Sequence, residues 1–345
     1  MKTKLMAILL AAVVVLGSCS GTKKEKIAGA GATFPLPFYN MAFQNYQENT
    51  GVAVTYGGIG SGGGIRSLTD KIVDFAGSDA YLSDTEMSEM QGKVLHIPSC
   101  LGAVVLAYNI PGVDNLTLDG EIIADIYLGK ITSWDDSRIA ELNKDVELPK
   151  MSINPVYRSD GSGTTYVFSD YLTKVSKEWA DKIGTGKALK WSIGVASKGN
   201  PGVSGTIKST EGSIGYVGSE YSFALKLPAA KLKNKSGNII EPTMASISAA
   251  ASGEMPTDMR AMITNSDAAD AYPISCFTWL LVYAEQNYNE RTLEQATLTV
   301  NLLKWMMSND AQSLTSKVHY APLPKKVETM ALEALNGITY NGEKL

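Results

Sequence analysis

The sequence predicts an α/β protein of two lobes, with a ligand-binding cleft between them. Its 345 residues are 44% hydrophobic and only 19% charged, which allows a large core and suits two domains better than one. Short apolar segments alternate with helical patterns, as in α/β layers with parallel sheets. Two long apolar runs, residues 101–109 and 277–283, indicate strands covered on both faces where the chain crosses between the lobes. Such a cleft closes on a ligand by hinge motion.

The first 19 residues predict a lipoprotein signal peptide. Lys2 and Lys4 precede an apolar run of about 12 residues, too short to cross a bilayer but suited to a signal-peptide core. The run ends in Leu-Gly-Ser-Cys19, which resembles the lipobox of bacterial lipoproteins, where the cysteine carries the lipid. The alternative is an ordinary signal peptide with a chance cysteine. We expect an exported protein, in the periplasm or on the cell surface, whose residues 20–26 form a tether.

The charge balance argues against a nucleic-acid partner. Lys and Arg number 31 against 35 Asp and Glu, a net charge of −4, and removal of the two leader lysines makes it −4 − 2 = −6. A small anion is still compatible with this balance, because one local group of donors outweighs a weak and screened overall field.

The remaining cysteines and histidines do not predict a metal or cofactor. Cys100 and Cys276 are an even number in an oxidising compartment, so a disulfide and a pair of buried thiols both stay open. His96 and His319 have no Cys or carboxylate at metal-ligand spacing, and we interpret both as structural.

Lobe I is predicted to comprise residues 27–108 and 272–345. Its first strand runs through small residues to Thr33, which is expected to cap a helix that has Pro35 in its first turn. The N–H groups beside Thr33 and Phe34 are a first candidate anion contact, although plain capping explains them equally simply. After the return at residue 272, a helix is expected over 293–307.

A glycine-rich loop, residues 57–64, follows the second predicted strand and precedes a helix that should begin near Ile65. Gly58, Gly60 and Gly63 fit the dinucleotide pattern G-x-G-x-x-G. An exported protein has no dependable supply of NAD, and the loop has more glycine than that pattern needs. We therefore expect Ser61 and the neighbouring N–H groups to contact one small oxyanion at the start of the helix.

Asp79 ends the next short strand, and a helix start follows at Ser83 with Glu86 three residues later. As a turn residue Asp79 needs no function. If it faces an anion, a proton must lie between the two, because a carboxylate accepts hydrogen bonds and donates none.

Lobe II, residues 109–271, contains the stretch with the strongest prediction of a site. The segment Arg158-Ser-Asp-Gly-Ser-Gly-Thr-Thr165 lies between a predicted strand, 153–157, and a predicted helix, 167–175. Glycines allow successive N–H groups to point the same way, and the helix start, the hydroxyls and the guanidinium add donors. No Walker lysine follows, and Ser162 has no G-x-S-x-G context, so we expect an oxyanion to be held without chemistry.

Several motifs, in this order along the chain, resemble the phosphate-binding proteins of Pst-type ABC phosphate importers. They are GAGATFP (29–35), IGS (59–61), VDF (73–75) with Ser78-Asp79, DIYLGKI (125–131) with Trp134, residues 158–164, and GYV (215–217). The resemblance implies a two-lobed periplasmic-binding-protein fold of type II with phosphate in the cleft. It implies these phosphate ligands: Thr33, Phe34, Ser61 and Asp79 from lobe I, and Arg158, Ser162, Gly163 and Thr164 from lobe II. The family often has a second serine where this chain has Gly62, and Asp160 resembles an aspartate that pairs with the arginine.

The resemblance also implies a function. We expect an exported, lipid-anchored monomer that captures inorganic phosphate and delivers it to an ABC permease, without cofactor and without catalysis. Two alternatives are an exported phosphoryl-transfer or hydrolytic enzyme with Ser162 or Ser61 as nucleophile, and a phosphate sensor or adhesin on the same fold. The first lacks a histidine base near either serine in the sequence.

Overall fold

The computed structural model describes residues 26–345, in which strands and helices alternate along the chain. The strands are β1 (Lys26–Gly31), β2 (Ala53–Gly58), β3 (Phe75–Ser78), β4 (Val94–Asn109), β5 (Thr117–Leu118), β6 (Asn154–Arg158), β7 (Val195–Ser197), β8 (Ser213–Gly218), β9 (Lys231–Lys233), β10 (Ile239–Ile240), β11 (Ser275–Tyr283), β12 (Thr339–Tyr340) and β13 (Glu343–Lys344). The α-helices are α1 (Leu36–Thr50), α2 (Ser61–Thr69), α3 (Asp84–Glu89), α4 (Gly120–Tyr127), α5 (Ser137–Leu142), α6 (Gly163–Val175), α7 (Lys177–Lys182), α8 (Gly199–Ser209), α9 (Ser219–Leu225), α10 (Met244–Ala250), α11 (Leu293–Met306), α12 (Asn309–Gln312) and α13 (Lys325–Leu335), and a 3₁₀ helix covers Thr315–Val318. The predicted signal peptide and Cys19 lie outside the described residues.

One eight-stranded sheet, in the order β2-β1-β3-β11-β4-β8-β6-β7, runs through both lobes. Strand β1 is parallel to β2 and β3, and β6 is parallel to β7 and β8. At the centre β11 is antiparallel to β3 and β4, and β4 is antiparallel to β8. The prediction of parallel sheets therefore describes the outer part of each lobe, whereas the crossing strands run the other way.

Strand β4 is a single element of 16 residues where the sequence pattern predicted two shorter runs. Residues Val94 to Ala103 pair with β11, and Val104 to Asn109 pair with β8, so one buried strand belongs to both lobes. Pro98 lies inside it, next to an irregularity in its pairing with β11. Proline has no N–H for the ladder, and a bulge accommodates this.

Aromatic side chains form much of each lobe's core. In lobe I, Tyr39 of α1 stacks on Phe43 and packs edge-on against Tyr56 of β2, with ring centroids 5.3 and 5.1 Å apart. In lobe II, Phe168 of α6 stacks on Tyr216 of β8 at 4.3 Å. Burying one such ring stabilises the folded state by about 1.5–3 kcal/mol. The packed rings fasten each helix to the neighbouring strand, and this fixes the positions of the loops between them.

The chain returns to lobe I before β11 begins. The Met259 carbonyl accepts a hydrogen bond from Trp279 Nε1 at 2.8 Å, and Arg260 Nη1 donates to the Leu82 carbonyl at 3.1 Å. This segment therefore packs on lobe I although it precedes residue 272. The assignment of residues 27–108 and 272–345 to lobe I, and of residues 109–271 to lobe II, stays a prediction. It concerns which segments move as one rigid body.

Most predicted helices are present, and three of their starts differ from expectation. Helix α6, expected to begin at residue 167, begins at Gly163, directly after its cap Ser162. The capping box at Ser83 is confirmed. The helix expected to begin near Ile65 begins at Ser61, so its first turn contains three glycines. Thr33 does not cap α1, whose cap position is Pro35. The Thr33 hydroxyl instead makes contacts with the other lobe.

Cys100 and Cys276 are buried free thiols, which is one of the two interpretations that the sequence left open. Within residues 26–345, no helix has both the length and the apolar character to span a bilayer.

Candidate functional site

The predicted site residues come together where the two lobes touch, and we call this region the interlobe site. Lobe I contributes the segments after β1, β2 and β3, and lobe II contributes those after β6 and β7. In α/β sheets these carboxyl-terminal ends are where ligands bind, because helix starts and free N–H groups gather there.

Thr33 lies just after β1, with 5% of its surface exposed. Gly31 has φ +145, and an added Cβ there would clash with the backbone of Gly77 on β3, so the chain needs glycine to pass this point. The Thr33 Oγ1 atom accepts hydrogen bonds from Asn200 N at 3.1 Å and Asn200 Nδ2 at 2.9 Å, and Tyr221 donates to the Thr33 carbonyl at 2.5 Å. All three partner atoms belong to lobe II.

Ser61 is the first residue of α2 and is fully buried. Its Oγ accepts a hydrogen bond from Gly163 N of lobe II at 3.0 Å and a longer one from Asp79 N at 3.4 Å. The start of α2 thus meets the start of α6, and Ser61 is the point of contact.

Gly62 has a structural reason to differ from the serine that is common in the family. Its N–H donates to the Gly161 carbonyl at 2.9 Å, and an added Cβ would lie 3.2 Å from the Gly161 Cα. The two glycine backbones therefore cross in direct contact, and a serine Cβ would fit only if the Gly161 backbone shifted by a few tenths of an ångström.

Asp79 is buried between the lobes, with only 1% of its surface exposed. Its Oδ1 accepts from Thr278 Oγ1 at 2.9 Å, and its Oδ2 accepts from Thr164 Oγ1 at 3.2 Å. Burial raises the pKa of Asp79 to about 7, although these hydroxyls and the charge of Arg158 act to lower it. Near neutral pH the carboxyl therefore exchanges a proton readily, as a group that shares one with a ligand must.

Arg158, at the end of β6, is 4% exposed and is held by Asp160. Its Nε donates to Asp160 Oδ1 at 2.8 Å and its Nη2 to Oδ2 at 2.6 Å, which fixes the plane of the guanidinium. The remaining arm, Nη1, donates to Thr164 Oγ1 at 3.3 Å. Burial acts to raise the pKa of Asp160, but the hydrogen bonds and charge of Arg158 lower it overall, so Asp160 stays ionised.

Ser162 caps α6, and its position is set by lobe II alone. Its Oγ accepts from Thr165 N at 3.0 Å, and its N–H donates to the Lys187 carbonyl at 2.8 Å. The capping bond leaves the Ser162 proton able to donate. Gly163 and Thr164 follow as the first two residues of the helix, both buried.

The charges in the site nearly cancel, so an anion there would be held by hydrogen-bond donors rather than by net positive charge. The positive charge of Arg158 is balanced by the negative charge of Asp160. Asp79 has a pKa of about 7, so it is only partly ionised at neutral pH. Glu220 is the second residue of α9, which follows β8, and burial raises its pKa to about 8, so at neutral pH it mostly carries a proton. It therefore adds little negative charge near the site.

Neither histidine lies in the site. Nε2 of His96 accepts from Leu82 N at 3.0 Å, and burial lowers the pKa of this ring to about 4. The ring of His319 packs on Phe223. Among residues 26–345, no cluster of three His, Cys, Asp or Glu side chains is arranged to hold a metal ion.

The comparisons with known proteins agree on one family. A family model described as the PBP superfamily domain matches residues 17–310. The phosphate-binding protein PstS of Xylella fastidiosa (strain 9a5c) is 38% identical over 312 residues, which cover 89% of this chain and 84% of that protein. PstS of Pasteurella multocida (strain Pm70) is 36% identical over 311 residues, covering 89% and 88%. This chain belongs to the PstS family of phosphate-binding proteins.

Solved structures show the same fold. The PstS-family chain matches a phosphate-binding protein from Stenotrophomonas maltophilia with a TM-score of 0.66 and 19% identity, over 92% of this chain and 96% of that one. It matches a high affinity periplasmic phosphate-binding protein, PfluDING, with a TM-score of 0.72 and 21% identity, over 91% and 99% of the two chains. The two-lobed periplasmic-binding-protein fold is thereby confirmed.

Two buried polar residues of this PstS-family site were missed by the sequence analysis. Thr278 of β11 donates to Asp79, and Asn200 of α8 donates to both Thr33 and Thr164. Finding Thr278 requires the pairing of β11 with β3, which the apolar run alone does not reveal. A weak signal for Asn200 was present, since it follows Gly199 in a loop that opens a helix.

Proposed function

We propose that this protein captures one inorganic phosphate between its lobes and delivers it to an ABC permease. The observation that carries the proposal is a buried cluster of hydrogen-bond donors from both lobes gathered around the buried carboxyl of Asp79. Membership of the PstS family supports the same role, which is binding without catalysis. The proposed ligands are those that the resemblance implies: Thr33, the Phe34 N–H, Ser61 and Asp79 from lobe I, and Arg158, Ser162, the Gly163 N–H and Thr164 from lobe II, with Asp160 orienting Arg158.

The interlobe hydrogen bonds suggest how the ligand enters. Gly163 N now donates to Ser61, and Thr164 donates to Asp79. With phosphate between the lobes, these N–H and O–H groups would donate to phosphate oxygens instead. The direct hydrogen bonds between the lobes would then be replaced by hydrogen bonds from each lobe to the phosphate. A small opening about β4, the strand shared by both lobes, provides the space.

The energetics allow tight binding. Hydrogen bonds to a charged group contribute about 1.5–3 kcal/mol each, and a micromolar complex needs about 8 kcal/mol. Three or four good bonds therefore suffice before the cost of closing the lobes.

We expect the purified protein to bind phosphate at least about 100-fold more tightly than sulfate at about pH 9, because Asp79 is then almost fully ionised and a site built for a hydrogen-bond donor rejects an analogue that lacks it. Phosphate keeps a P–OH that Asp79 accepts, whereas sulfate brings lone pairs and like charge to the carboxylate. Isothermal titration with both anions measures the ratio. Equal affinities would contradict the role of Asp79, and no binding of either anion would contradict the function.

We also propose export and lipid anchoring at Cys19, which is supported by the N-terminal sequence and by the periplasmic-binding-protein fold. Cells fed labelled palmitate should incorporate it into the wild-type protein, which should fractionate with membranes. The Cys19→Ser variant should lose both properties, because its side chain cannot form the thioether. The Cys100→Ser variant, altered at a buried thiol, is the matched control and should keep both. Label retained in Cys19→Ser would refute the anchor.

A further inference from the structure

Asn200 is the second residue of α8, is fully buried, and lies in the interlobe site without belonging to the proposed ligand set. Its side chain reaches both lobes. The Nδ2 atom lies 2.9 Å from Thr33 Oγ1 of lobe I and 3.2 Å from Thr164 Oγ1 of lobe II. No other side-chain atom in the proposed site touches one threonine from each lobe.

The direction of the amide is fixed by the backbone. Asn200 Oδ1 accepts a hydrogen bond from Gly218 N at 3.0 Å. Because a backbone N–H only donates, the oxygen must face Gly218, and the NH₂ group must face the two threonines. Asn200 therefore acts toward both hydroxyls as a donor.

This donation determines what the Thr33 hydroxyl can do. A hydroxyl has two acceptor lone pairs and one proton. Thr33 Oγ1 receives the backbone N–H of Asn200 at 3.1 Å as well as its Nδ2–H, so both lone pairs are used. Only the hydroxyl proton of Thr33 is then available to a third partner. Toward a bound ligand, Thr33 can therefore act only as a hydrogen-bond donor.

The same reasoning applies to Thr164. Its Oγ1 receives Asn200 Nδ2 and Arg158 Nη1, at 3.2 and 3.3 Å, and its proton goes to Asp79 Oδ2. One amide thus sets the direction of a hydroxyl on each side of the cleft.

We propose that Asn200 is a positioning residue for anion binding, which commits the hydroxyls of Thr33 and Thr164 to donation and so makes the site prefer unprotonated oxygens. This inference rests on the proposed phosphate-binding function. Without Asn200 the Thr33 hydroxyl regains a free lone pair and can accept a proton from a P–OH group. The site would then lose affinity for dibasic phosphate and tolerate the additional proton of the monobasic form.

The test is a phosphate titration of the Asn200→Ala variant and the wild type at about pH 8.5 and about pH 6. The variant should bind about 10- to 100-fold more weakly at the higher pH, which corresponds to one or two weakened charge-assisted bonds. The loss should be at least about threefold smaller at the lower pH, where phosphate carries a second proton. Asp79 and Glu220, with pKa values of about 7 and about 8, titrate between these pH values in both proteins. The result is therefore taken from the ratio of variant to wild-type affinity at each pH, and the double-mutant cycle below tests whether Thr33 carries the difference. Arg158, Asp160 and Tyr221 also face this region.

A double-mutant cycle separates positioning from a merely structural role. In a Thr33→Val background the loss caused by Asn200→Ala should shrink by at least about threefold, because one of the two hydroxyls through which Asn200 acts is gone. Additive effects, or a loss that is the same at both pH values, would overturn the proposal.

The matched control is Asn143→Ala. Asn143 is also a buried amide of lobe II whose atoms all pair within the protein: Nδ2 donates to the carbonyls of Thr117 at 2.9 Å and Ile139 at 2.8 Å, and Oδ1 accepts from Thr117 N at 2.8 Å. It lies outside the site, so the variant should keep the phosphate affinity of the wild type.

If Asn200→Ala does not fold, the Asn200→Asp variant decides. It keeps the acceptor for Gly218 N and the shape of the side chain, but places an acceptor against Thr33. We expect at least a 100-fold loss of affinity, about the cost of reversing one buried charge-assisted bond, and an unchanged affinity would overturn the proposal. Failure of the wild type to bind phosphate would instead overturn the proposed function itself, whereas normal wild-type binding with a normal Asn200→Ala variant overturns only the role of Asn200.

Discussion

The Arg158→Ala variant is expected to bind phosphate about 10²- to 10³-fold more weakly than the wild type, a loss of about 3–4 kcal/mol of binding free energy, as is typical when one partner of a buried charge contact is truncated. Arg158 is buried, and its guanidinium is the only positive group in the proposed ligand set. Its loss removes the donor that points toward Thr164 and leaves Asp160 without its counter-charge at the edge of the site. Isothermal titration with phosphate measures the effect.

The matched control for this prediction is Arg138→Ala. Arg138 is an arginine of the same lobe that pairs with Asp125 and Asp136, but its side chain is 45% exposed. Exposed ion pairs contribute about 0–1 kcal/mol, so this variant should bind phosphate normally. The Arg158→Lys variant keeps the charge but not the two-armed bond to Asp160, and should fall between the wild type and Arg158→Ala. Normal affinity in Arg158→Ala would move the binding site elsewhere.

Local sequence was sufficient to find the loops of the site because each loop has its own signal. Arg158 to Thr165 combines a strand end, two glycines, hydroxyls and a helix start, and the loop before Ser61 combines a strand end with many glycines. In an α/β fold these features lie at the carboxyl ends of strands. The layers, the two crossings and most of these groups could therefore be predicted without coordinates.

The parts that were missed depend on contacts between distant segments. Thr278 is 199 residues from Asp79 in the chain, and only the antiparallel register of β11 against β3 brings it to the carboxylate. The reason for a glycine at position 62 is also not visible in the local sequence, because it lies in the contact of the Gly62 backbone with Gly161 of the other lobe. Thr33 has the sequence context of a helix cap, but its oxygen is engaged by Asn200, 167 residues away.

Local sequence was also insufficient to predict the centre of the sheet. The pattern of residues 94–97 and 101–109 indicated two strands, since Pro98 reads as a break in any local analysis. In the fold a bulge absorbs the proline, and the strand continues from one lobe into the other. Because hydrophobic periodicity does not specify a partner strand, the sequence could predict a crossing but not that both lobes share one strand.

The Asp79→Asn variant is expected to lower the preference for phosphate over sulfate by about 10- to 100-fold at about pH 9, where Asp79 of the wild type is almost fully ionised. The amide has the shape of the carboxylate but brings an NH₂ donor, which can bond to a sulfate oxygen and no longer repels it. Competition between the two anions in an equilibrium titration measures the ratio. Asp74→Asn is the matched control, because Asp74 is also a buried aspartate of lobe I but pairs with Arg291 outside the site.

The pH dependence of this selectivity has a definite sign. Burial raises the pKa of Asp79 to about 7, so in the wild type the carboxyl is ionised above this pH and increasingly protonated below it. A protonated Asp79 is a donor, as the amide is, and the wild type should therefore discriminate less strongly against sulfate as the pH falls through 7. The Asp79→Asn variant has no proton to gain at this position, so its ratio should change much less over the same range. If the variant rejects sulfate as strongly as the wild type, or if both show the same pH profile, Asp79 is not the group that selects phosphate.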